Sequence, residues 1–401
     1  MSVPIVETPK ELKDFIKDYK SCFSKKQYNH FKNLVTGLIV SDKKNIQEIN
    51  DCFDYSNQSS MNRFVNGNWN METVNNIAIN QAKQYYGKLT QGILICDPTF
   101  LHKTGKKMEK ANYHHSGKTK KKEWGHFLVN TMFYNEKIHF PIRADIYLRK
   151  EDSDENNPYL RLRDIFINQI HYAIRQGLPI KLIMADAGLQ AEYVCQEIKS
   201  LGLEYVIGAR ITTKISIKKQ KRITIKEYLD SLSKKDYSRF KIDGEKFYIH
   251  TVEVYNRKIG KELLIITYKK NDDCIKIYTS NILNKSDEVL MHILLKRWNI
   301  EVVHRDEKQH LGLEDYQVRK FGGIQRVVLV VLVAYVVLIL NASRQCFLHC
   351  FYRKLKTIGE GCRYFRLIAT KGRRWIRKMA REMREFANIL NRFVFVKNAK
   401  V

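Results

Sequence analysis

Two short apolar segments, each ending in an aspartate, constrain the fold more than any other feature of this sequence. Residues 92–98 read GILICDP and residues 180–188 read IKLIMADAG. Runs of this length, rich in Ile and Leu and bounded by turn residues, are typical of buried strands. One aspartate at a strand end is usually the cap of a following helix. The presence of two such aspartates, Asp97 and Asp186, predicts a central sheet that brings acidic groups close together.

A third acidic residue lies in the segment RWNIE at residues 297–301. On an α-helix, Arg297, Glu301 and Lys308 fall within roughly 40° of one another, on a largely apolar face. Burying such charges is costly unless they are paired, and a metal ion together with a phosphate backbone would pair both signs. An intrahelical salt bridge between Arg297 and Glu301 is the simpler interpretation.

Taken together, these motifs resemble those of a DDE transposase of a bacterial insertion sequence. The chain is most similar to the cut-and-paste branch, whose last acidic residue lies in a Tyr-x2-Arg-x3-Glu-x6-Lys signature. Arg297, Glu301 and Lys308 match three of the four signature positions, and the tyrosine position is Leu294. The resemblance covers about residues 25–340. It implies a ribonuclease H-like α/β core with a mixed sheet and an enzyme that cuts and joins DNA.

The resemblance also implies a role for each acidic residue. Asp97 and Asp186 match the first and second aspartates of the family. Asp97 would bridge two Mg²⁺ ions, Asp186 would hold one and Glu301 the other, and Mn²⁺ could substitute. Two ions about 3.5–4 Å apart can activate the nucleophile and stabilise the leaving oxygen of a phosphodiester. Arg297 and Lys308 would then bind phosphate beside the cleaved bond.

The charge of the chain agrees with a nucleic-acid partner. Lys and Arg number 71 against 42 Asp and Glu, a formal net charge of +29. Such a surface binds polyanions in a salt-dependent way, but charge alone does not separate DNA from RNA or from an anionic membrane. The resemblance selects double-stranded DNA, namely the terminal repeats of the element and the target. Synapsis of two ends implies a homodimer in the DNA complex.

The sequence further predicts a cytoplasmic, nucleoid-associated protein without a membrane span. The apolar run at 327–340 is too short for a span of roughly 20 residues and predicts a core helix packed behind the Glu301 helix. The first residues lack the basic start and long apolar stretch of a secretory signal. The eight cysteines are scattered and predict reduced, buried thiols rather than a zinc site.

Five segments are predicted along the chain. They are a helical N-terminal DNA-binding domain at 1–90, the first part of the catalytic core at 91–210, a β-rich insertion at 211–280, the second part of the core with the Glu301 helix at 281–345, and a basic helical C-terminal region at 346–401. Antiparallel strands followed by alternating helices and strands are typical of such a core. From its residues alone, the β-rich segment could equally be a small independent domain.

Three polar or basic segments are candidates for DNA contact. Residues 46–65 predict a helix-turn-helix, whose second helix would reach base edges or phosphates. The loop at 102–123 and the tail at 353–384 are rich in lysine or arginine. A plain helix pair, a solvated loop and an amphipathic helix are the alternatives. The residues selected in these segments are Gln58, Asn62, Arg63, Lys120, Lys121, Arg373 and Arg374.

Two other functions stay open at this point. Another ribonuclease H-like nuclease, such as a junction resolvase, would use the same acids without strand transfer. A catalytically inactive DNA-binding protein derived from a transposase would keep the acids for folding. Near the signature, Trp298 could pack in the core or stack on an unpaired base, and packing in the core is predicted. Asp306 and Glu307 point away from Arg297 around the helix and are interpreted as solvent-facing or structural.

Overall fold

The computed structural model describes residues 4–5, 7–53, 57–87, 89–115, 121–217, 222–270, 272, 274–343, 357–370 and 381–386. The chain forms two compact units, each described by itself. The first comprises Met1–Ile77, Glu307–Val318 and Gly322–Val401, and the second comprises Ala78–Asp306 and Arg319–Phe321. The boundaries of these two units differ from those of the five predicted segments. The five segments therefore remain a prediction.

A sheet of twelve strands forms the centre of the second unit. The strands are β1 (Gly92–His102), β2 (Asn112–His115), β3 (Lys122–Tyr134), β4 (His139–Tyr147), β5 (Ile180–Ala185), β6 (Glu204–Gly208), β7 (Lys214–Ile217), β8 (Ile223–Thr224), β9 (Ser238–Ile242), β10 (Glu245–Asn256), β11 (Gly260–Lys269) and β12 (Lys276–Ser280). Their order is β2-β3-β1-β5-β6-β12-β11-β10-β7-β8, with β4 also paired to β3 and β9 to β10.

The helices are distributed over both units. In chain order they are α1 (Lys10–Ile16), α2 (Lys25–Val40), α3 (Ile46–Asp51), α4 (Gln58–Asn66), α5 (Met71–Tyr86), α6 (Leu162–Arg175), α7 (Glu192–Ser200), α8 (Ile225–Asp230), α9 (Asp287–Lys296), α10 (Trp298–Leu311), α11 (Phe321–Ser343) and α12 (Ile358–Ala369). The predicted strands and helices around Asp97, Asp186 and Glu301 are therefore present, with small shifts at their ends.

The central part of the sheet has a mixed hydrogen-bonding pattern. Strand β3 runs antiparallel to β4 and β1, whereas β1, β5 and β6 run parallel to one another. Leu94 and Ile95 of β1 and Ile183 and Met184 of β5 are fully buried. Such continuous apolar runs are expected where both faces of a strand are covered. The mixed α/β architecture is consistent with the predicted ribonuclease H-like core.

Strand β1 does not end at Pro98, contrary to the prediction of a chain-breaking proline. It continues to His102 in register with β3, while its parallel pairing with β5 stops at Cys96. Proline lacks a backbone N–H and is tolerated in a strand where one side needs no hydrogen bond. Pro98 lies beyond Cys96, the last β1 residue that pairs with β5, so its lack of an N–H costs no hydrogen bond to β5. Asp97 is the first residue of β1 that has no pairing partner on β5.

The β-rich segment continues the core sheet. Strand β12 pairs antiparallel with β6 of the core and with β11, and β11 pairs with β10. The segment also contains its own apolar cluster, which includes Ile225, Leu264 and Ile266. Its hydrogen bonds to β6 do not support an independent β domain, because the ladder runs without interruption from the core into the segment.

In the first unit, helix α2 contacts helix α12 through an arginine of the basic C-terminal region. The Arg366 guanidinium donates to the backbone carbonyls of Val40, at 2.7 Å, and Ser41, at 3.0 Å, and also pairs with Asp42. These carbonyls end helix α2, where a cation is favourable. Arg366 therefore stabilises the fold.

Helix α11 is longer than its apolar run suggested. It has 23 residues, whereas the run at 327–340 was predicted to be too short for a membrane span. Among the described residues, only this helix is long and apolar enough to cross a membrane, and 78% of its apolar window is buried inside the protein. That burial is typical of the core helix that was predicted.

Candidate active site

Strands β1 and β5 bring Asp97 and Asp186 together. The two strands are parallel, and the last residues paired between them are Cys96 and Ala185. Both aspartates directly follow this pair, on strands that lie about 4.8 Å apart. The Asp186 carboxylate also accepts a hydrogen bond of 3.2 Å from the Gly188 backbone. It therefore caps the next short helical turn while remaining exposed to solvent.

Gly208 provides the space that the Asp186 loop needs. A Cβ atom at this position would lie only 2.6 Å from the backbone nitrogen of Ala187. Backbone atoms cannot move aside as a flexible side chain can. The end of β6 must therefore be glycine for the turn after Asp186 to keep its position.

The third acid, Glu301, lies on α10, and α9 directly precedes this helix. Asp287, in the first turn of α9, accepts hydrogen bonds of 2.8 Å from Ser238 of β9 and from Thr251 of β10. At its other end, the Lys296 ammonium pairs with Glu136 at 3.0 Å. Strands of the β-rich segment therefore position the helix that leads to Glu301.

Arg297 lies at the junction of α9 and α10 and joins two of the three acids. Its guanidinium is 2.7 Å from the Glu301 carboxylate and 3.6 Å from the Asp97 carboxylate. The salt bridge between Arg297 and Glu301 is present, but Arg297 lies just before α10 and not within one helix with Glu301. Arg297 also contacts a strand distant in sequence. The side chain is only 16% exposed, so these contacts form in a poorly solvated place where charge pairing matters.

The acids influence one another electrostatically. Burial raises the pKa of Asp97 to about 7, the Arg297 guanidinium opposes this change, and the charges of Asp186 and Glu301 add to it. Burial also acts against the charge of Arg297, but Tyr278 and the charges of Asp97, Glu301 and Asp186 outweigh it, so the pKa of Arg297 lies above its usual range. The charges of Asp186 and Glu301 thus disfavour the ionised form of Asp97, and a cation beside Asp97 would be stabilising.

In this arrangement the carboxylates surround a guanidinium. Across the described ranges, no group of three or more His, Cys, Asp or Glu residues has the geometry of a metal site. The set of donors nonetheless fits a hard divalent ion, because it consists of carboxylate oxygens whose repulsion a cation relieves. Arg297 would have to release Asp97 and Glu301 for both to bind metal.

Two residues beside this site were not selected from the sequence. His304 is largely buried, and its Nδ1 lies 3.8 Å from the Asp97 carboxylate. Its spacing of three from Glu301 on one helix was a usable signal. Tyr278 lines the same pocket as Arg297. No local pattern marks Tyr278, because it reaches the site from strand β12.

The structure tests the predictions for three side chains near the signature. Trp298 is 57% exposed, so the prediction that it packs in the core is wrong. Asp306 and Glu307 are buried, so they are not solvent-facing, and their alternative interpretation as structural residues remains. Lys308, which belongs to the first unit, pairs with Glu314 of the same unit at 2.7 Å.

The predicted DNA-binding residues outside the signature are not tested by the structure. Gln58 and Arg63 on α4 are exposed and Asn62 is partly exposed, while Met61 and Phe64 of the same helix are buried. Helix α4 thus presents its polar side to solvent. Lys121 is also exposed. Lys120, Arg373 and Arg374 lie outside the described residues.

The mixed α/β fold, with its twelve-stranded sheet, is consistent with a ribonuclease H-like core. A family profile described as "Transposase DDE domain" matches residues 88–337, well over half of the 401 residues. The chain belongs to this transposase family. The matched region includes Asp97, Asp186 and Glu301. A comparison with curated proteins gave no match.

Replacing Gly208 by alanine should destabilise the protein by about 1–3 kcal/mol, because the new methyl group would overlap backbone atoms after Asp186. Thermal unfolding measured by calorimetry checks this. Gly105→Ala is the matched control, since no atom lies within 4 Å of its Cβ position. Equal melting temperatures for the two variants would contradict the packing argument.

At pH 8 the metal-free Asp97→Asn variant should be more stable than the wild type. At pH 5 this stability difference should be smaller. The pKa of Asp97 is raised in the folded state, so the stability contributed by its protonated form is complete below the unfolded pKa and disappears as the pH rises through about 7. The change in this stability difference between pH 5 and pH 8 should be on the order of 2 kcal/mol. Denaturant unfolding in EDTA measures it.

The exposed Asp230→Asn variant serves as the control for this measurement and should follow the wild type at both pH values. A stability difference for Asp97→Asn that does not change with pH would show that burial does not control the ionisation of Asp97.

Proposed function

We propose that this protein is the transposase of an insertion sequence, which binds the ends of its element, cleaves them and joins the freed 3′-hydroxyls to target DNA. The observation that carries the proposal is the convergence of Asp97 and Glu301 on Arg297, with Asp186 on the adjacent strand. Membership of the transposase family supports it. The cut-and-paste branch is proposed because three of its four signature positions are present.

Asp97, Asp186 and Glu301 would hold two Mg²⁺ ions, with Asp97 shared between them. When bound, these ions would supply activation of the nucleophile and stabilisation of the leaving oxygen. Arg297, released from the two carboxylates, would donate two hydrogen bonds to a phosphate oxygen pair. The guanidinium keeps its charge because its pKa lies above the usual range.

DNA recognition would come from surfaces outside the acidic cluster. The net charge of +29 supplies attraction to the phosphate backbone. The exposed side of α4, with Gln58 and Arg63, is proposed to contact the terminal repeats. A homodimer on DNA is proposed because two ends must be held together for joining.

Glu301→Gln should abolish Mg²⁺-dependent cleavage of DNA that flanks the gene, because the amide is a weak metal ligand and lacks the negative charge. DNA affinity should stay within a few-fold of the wild type. Gel analysis of labelled duplexes measures cleavage, and fluorescence anisotropy measures binding. Glu288→Gln, an exposed carboxylate on α9, is the matched control and should cleave normally.

The same assay separates the candidate functions. Products joined to a second DNA require strand transfer, whereas a resolvase-like nuclease would give cut products only. A wild-type protein that binds the duplex without cutting it would instead indicate a DNA-binding protein that has lost catalysis. If Glu301→Gln cleaves like the wild type, the assignment of the acids is wrong.

Lys308→Ala should lower the slope of log affinity against log salt by about one unit, since one phosphate contact releases about one counterion. Binding measured over a range of KCl concentrations gives the slope. The exposed Lys258→Ala variant, whose lysine pairs with Glu192, is the control. An unchanged slope for Lys308→Ala would mean that its role is confined to the salt bridge with Glu314.

A further inference from the structure

One end of strands β9, β10 and β11 carries a row of aromatic rings with an arginine. Tyr248 of β10 lies opposite Arg239 of β9 and opposite Tyr268 of β11. The Cζ atom of Arg239 lies 5.6 Å from the centre of the Tyr248 ring, and the rings of Tyr248 and Tyr268 stack with their centres 4.7 Å apart. Side chains opposite one another on paired strands point to the same face, so these groups form one continuous row.

A second row, of three lysines, runs beside the first. Lys241 of β9 lies opposite Lys246 of β10. Lys270 follows β11, and its backbone N–H donates to the carbonyl of Lys246 at 2.8 Å. Each lysine is two positions along the chain from a member of the aromatic row, so both rows share one face of the sheet. All three lysines are exposed.

This arrangement of charges is unfavourable for the protein by itself. Like charges directly opposite one another on paired strands destabilise a sheet. Within the part of the chain that the structure describes, no ion pair joins Arg239 or the three lysines to an acid. By contrast, Lys261 and Lys269 of β11 pair with Glu253 and Glu245, at 2.7 Å and 2.5 Å. The second row therefore keeps its positive charge for a partner that carries negative charge.

A basic patch results, formed by Arg239, Lys241, Lys246 and Lys270, and its size fits a segment of DNA backbone. Neighbouring strands lie about 4.8 Å apart, so a row across three strands is about 10 Å long. Phosphates follow one strand of duplex DNA at about 3.4 Å of helix axis each, so such a row faces about three phosphates.

The rings beside the patch are occupied within the protein. Arg239 covers Tyr248 from the side of β9, Tyr268 covers it from the side of β11, and Tyr237 packs edge to face against Tyr268. Stacking on an unpaired base needs a free ring face. The rings instead hold the guanidinium in place. The patch is therefore suited to phosphates, which carry no sequence information.

The basic patch and the pocket that contains Arg297 lie on opposite faces of the same strands. Phe247 of β10 and Lys269 of β11 line that pocket, which has a volume of about 440 Å³. Successive residues of a strand point to opposite faces, so Lys246 and Lys270 point away from the pocket. Contact with DNA at the patch should therefore change affinity and not the chemical step.

We propose that the basic patch is a second contact surface for the backbone of duplex DNA, separate from the cleavage site and independent of sequence. The inference rests on the function proposed above, because that function supplies DNA as the polyanion. It gives the β-rich segment a role in holding DNA, in addition to its support of helix α9.

Replacing Lys241, Lys246 and Lys270 together by glutamine removes three positive charges from the patch. The slope of log affinity against log salt should fall by about 2–3 units, and affinity in 0.1 M KCl should fall at least about ten-fold. The loss should be equal for a duplex of the DNA flanking the gene and for an unrelated duplex of the same length. Fluorescence anisotropy of the full-length protein with labelled duplexes in EDTA measures both.

The matched control replaces three other exposed lysines by glutamine, each of which pairs with an acid, so that the net charge changes equally. These are Lys43, Lys258 and Lys261. The slope for the control should fall by less than about one unit. Thermal unfolding separates binding from folding. The patch variant should melt at or above the wild-type temperature, because it relieves repulsion between opposed lysines.

Equal slopes for the patch variant and the control would overturn the inference, and so would a loss confined to the duplex that flanks the gene. In single-turnover cleavage at saturating protein, the patch variant should match the wild type, and a lower rate would contradict the separation of the patch from the cleavage site. If the wild type cleaves and the patch variant binds like the control, only the inference fails. If the wild type binds both duplexes without cleaving, the proposed function fails, and the salt slopes still decide the inference.

Discussion

The interaction on which the site depends is the pairing of Arg297 with Asp97 and Glu301. It joins a strand at the centre of the sheet to helices that follow much later in the chain. Removing these charges from water is costly, and each would be destabilising without its partners. The three groups therefore determine where α9 and α10 lie against β1. The charges of Asp186 and Glu301 also raise the pKa of Asp97, and Arg297 opposes this effect.

The β-rich segment contributes to this geometry in two ways. Its strands β9 and β10 bind Asp287 at the start of α9, and its last strand, β12, returns the chain to β6. A segment that could have folded alone is hydrogen-bonded into the sheet and supports the helix that carries Glu301. Tyr278 of β12 thereby lines the same pocket as Arg297. The glycine at position 208 allows the turn after Asp186 to pack against the same strand.

Local patterns predicted most elements of the core correctly, and the errors have physical causes. Strand β1 continues through Pro98, since a proline that faces an unpaired side costs no ladder hydrogen bond. Trp298 is exposed although it is large and apolar, and Asp306 and Glu307 are buried although they are charged. Helical periodicity gives the direction of a side chain around its axis. It does not show which direction is covered by the rest of the protein.

The sequence by itself indicated the three candidate acids, the strands and helix that carry them, and the family to which the chain belongs, because these follow from short apolar runs, local spacing and motif order. Only the tertiary structure decided which groups surround those acids. The contact of Arg297 with Asp97 and the burial that raises the pKa of Asp97 both arise from long-range strand pairing and packing. Such contacts leave no local pattern in the sequence, because their energies depend on residues that become neighbours only when the chain folds.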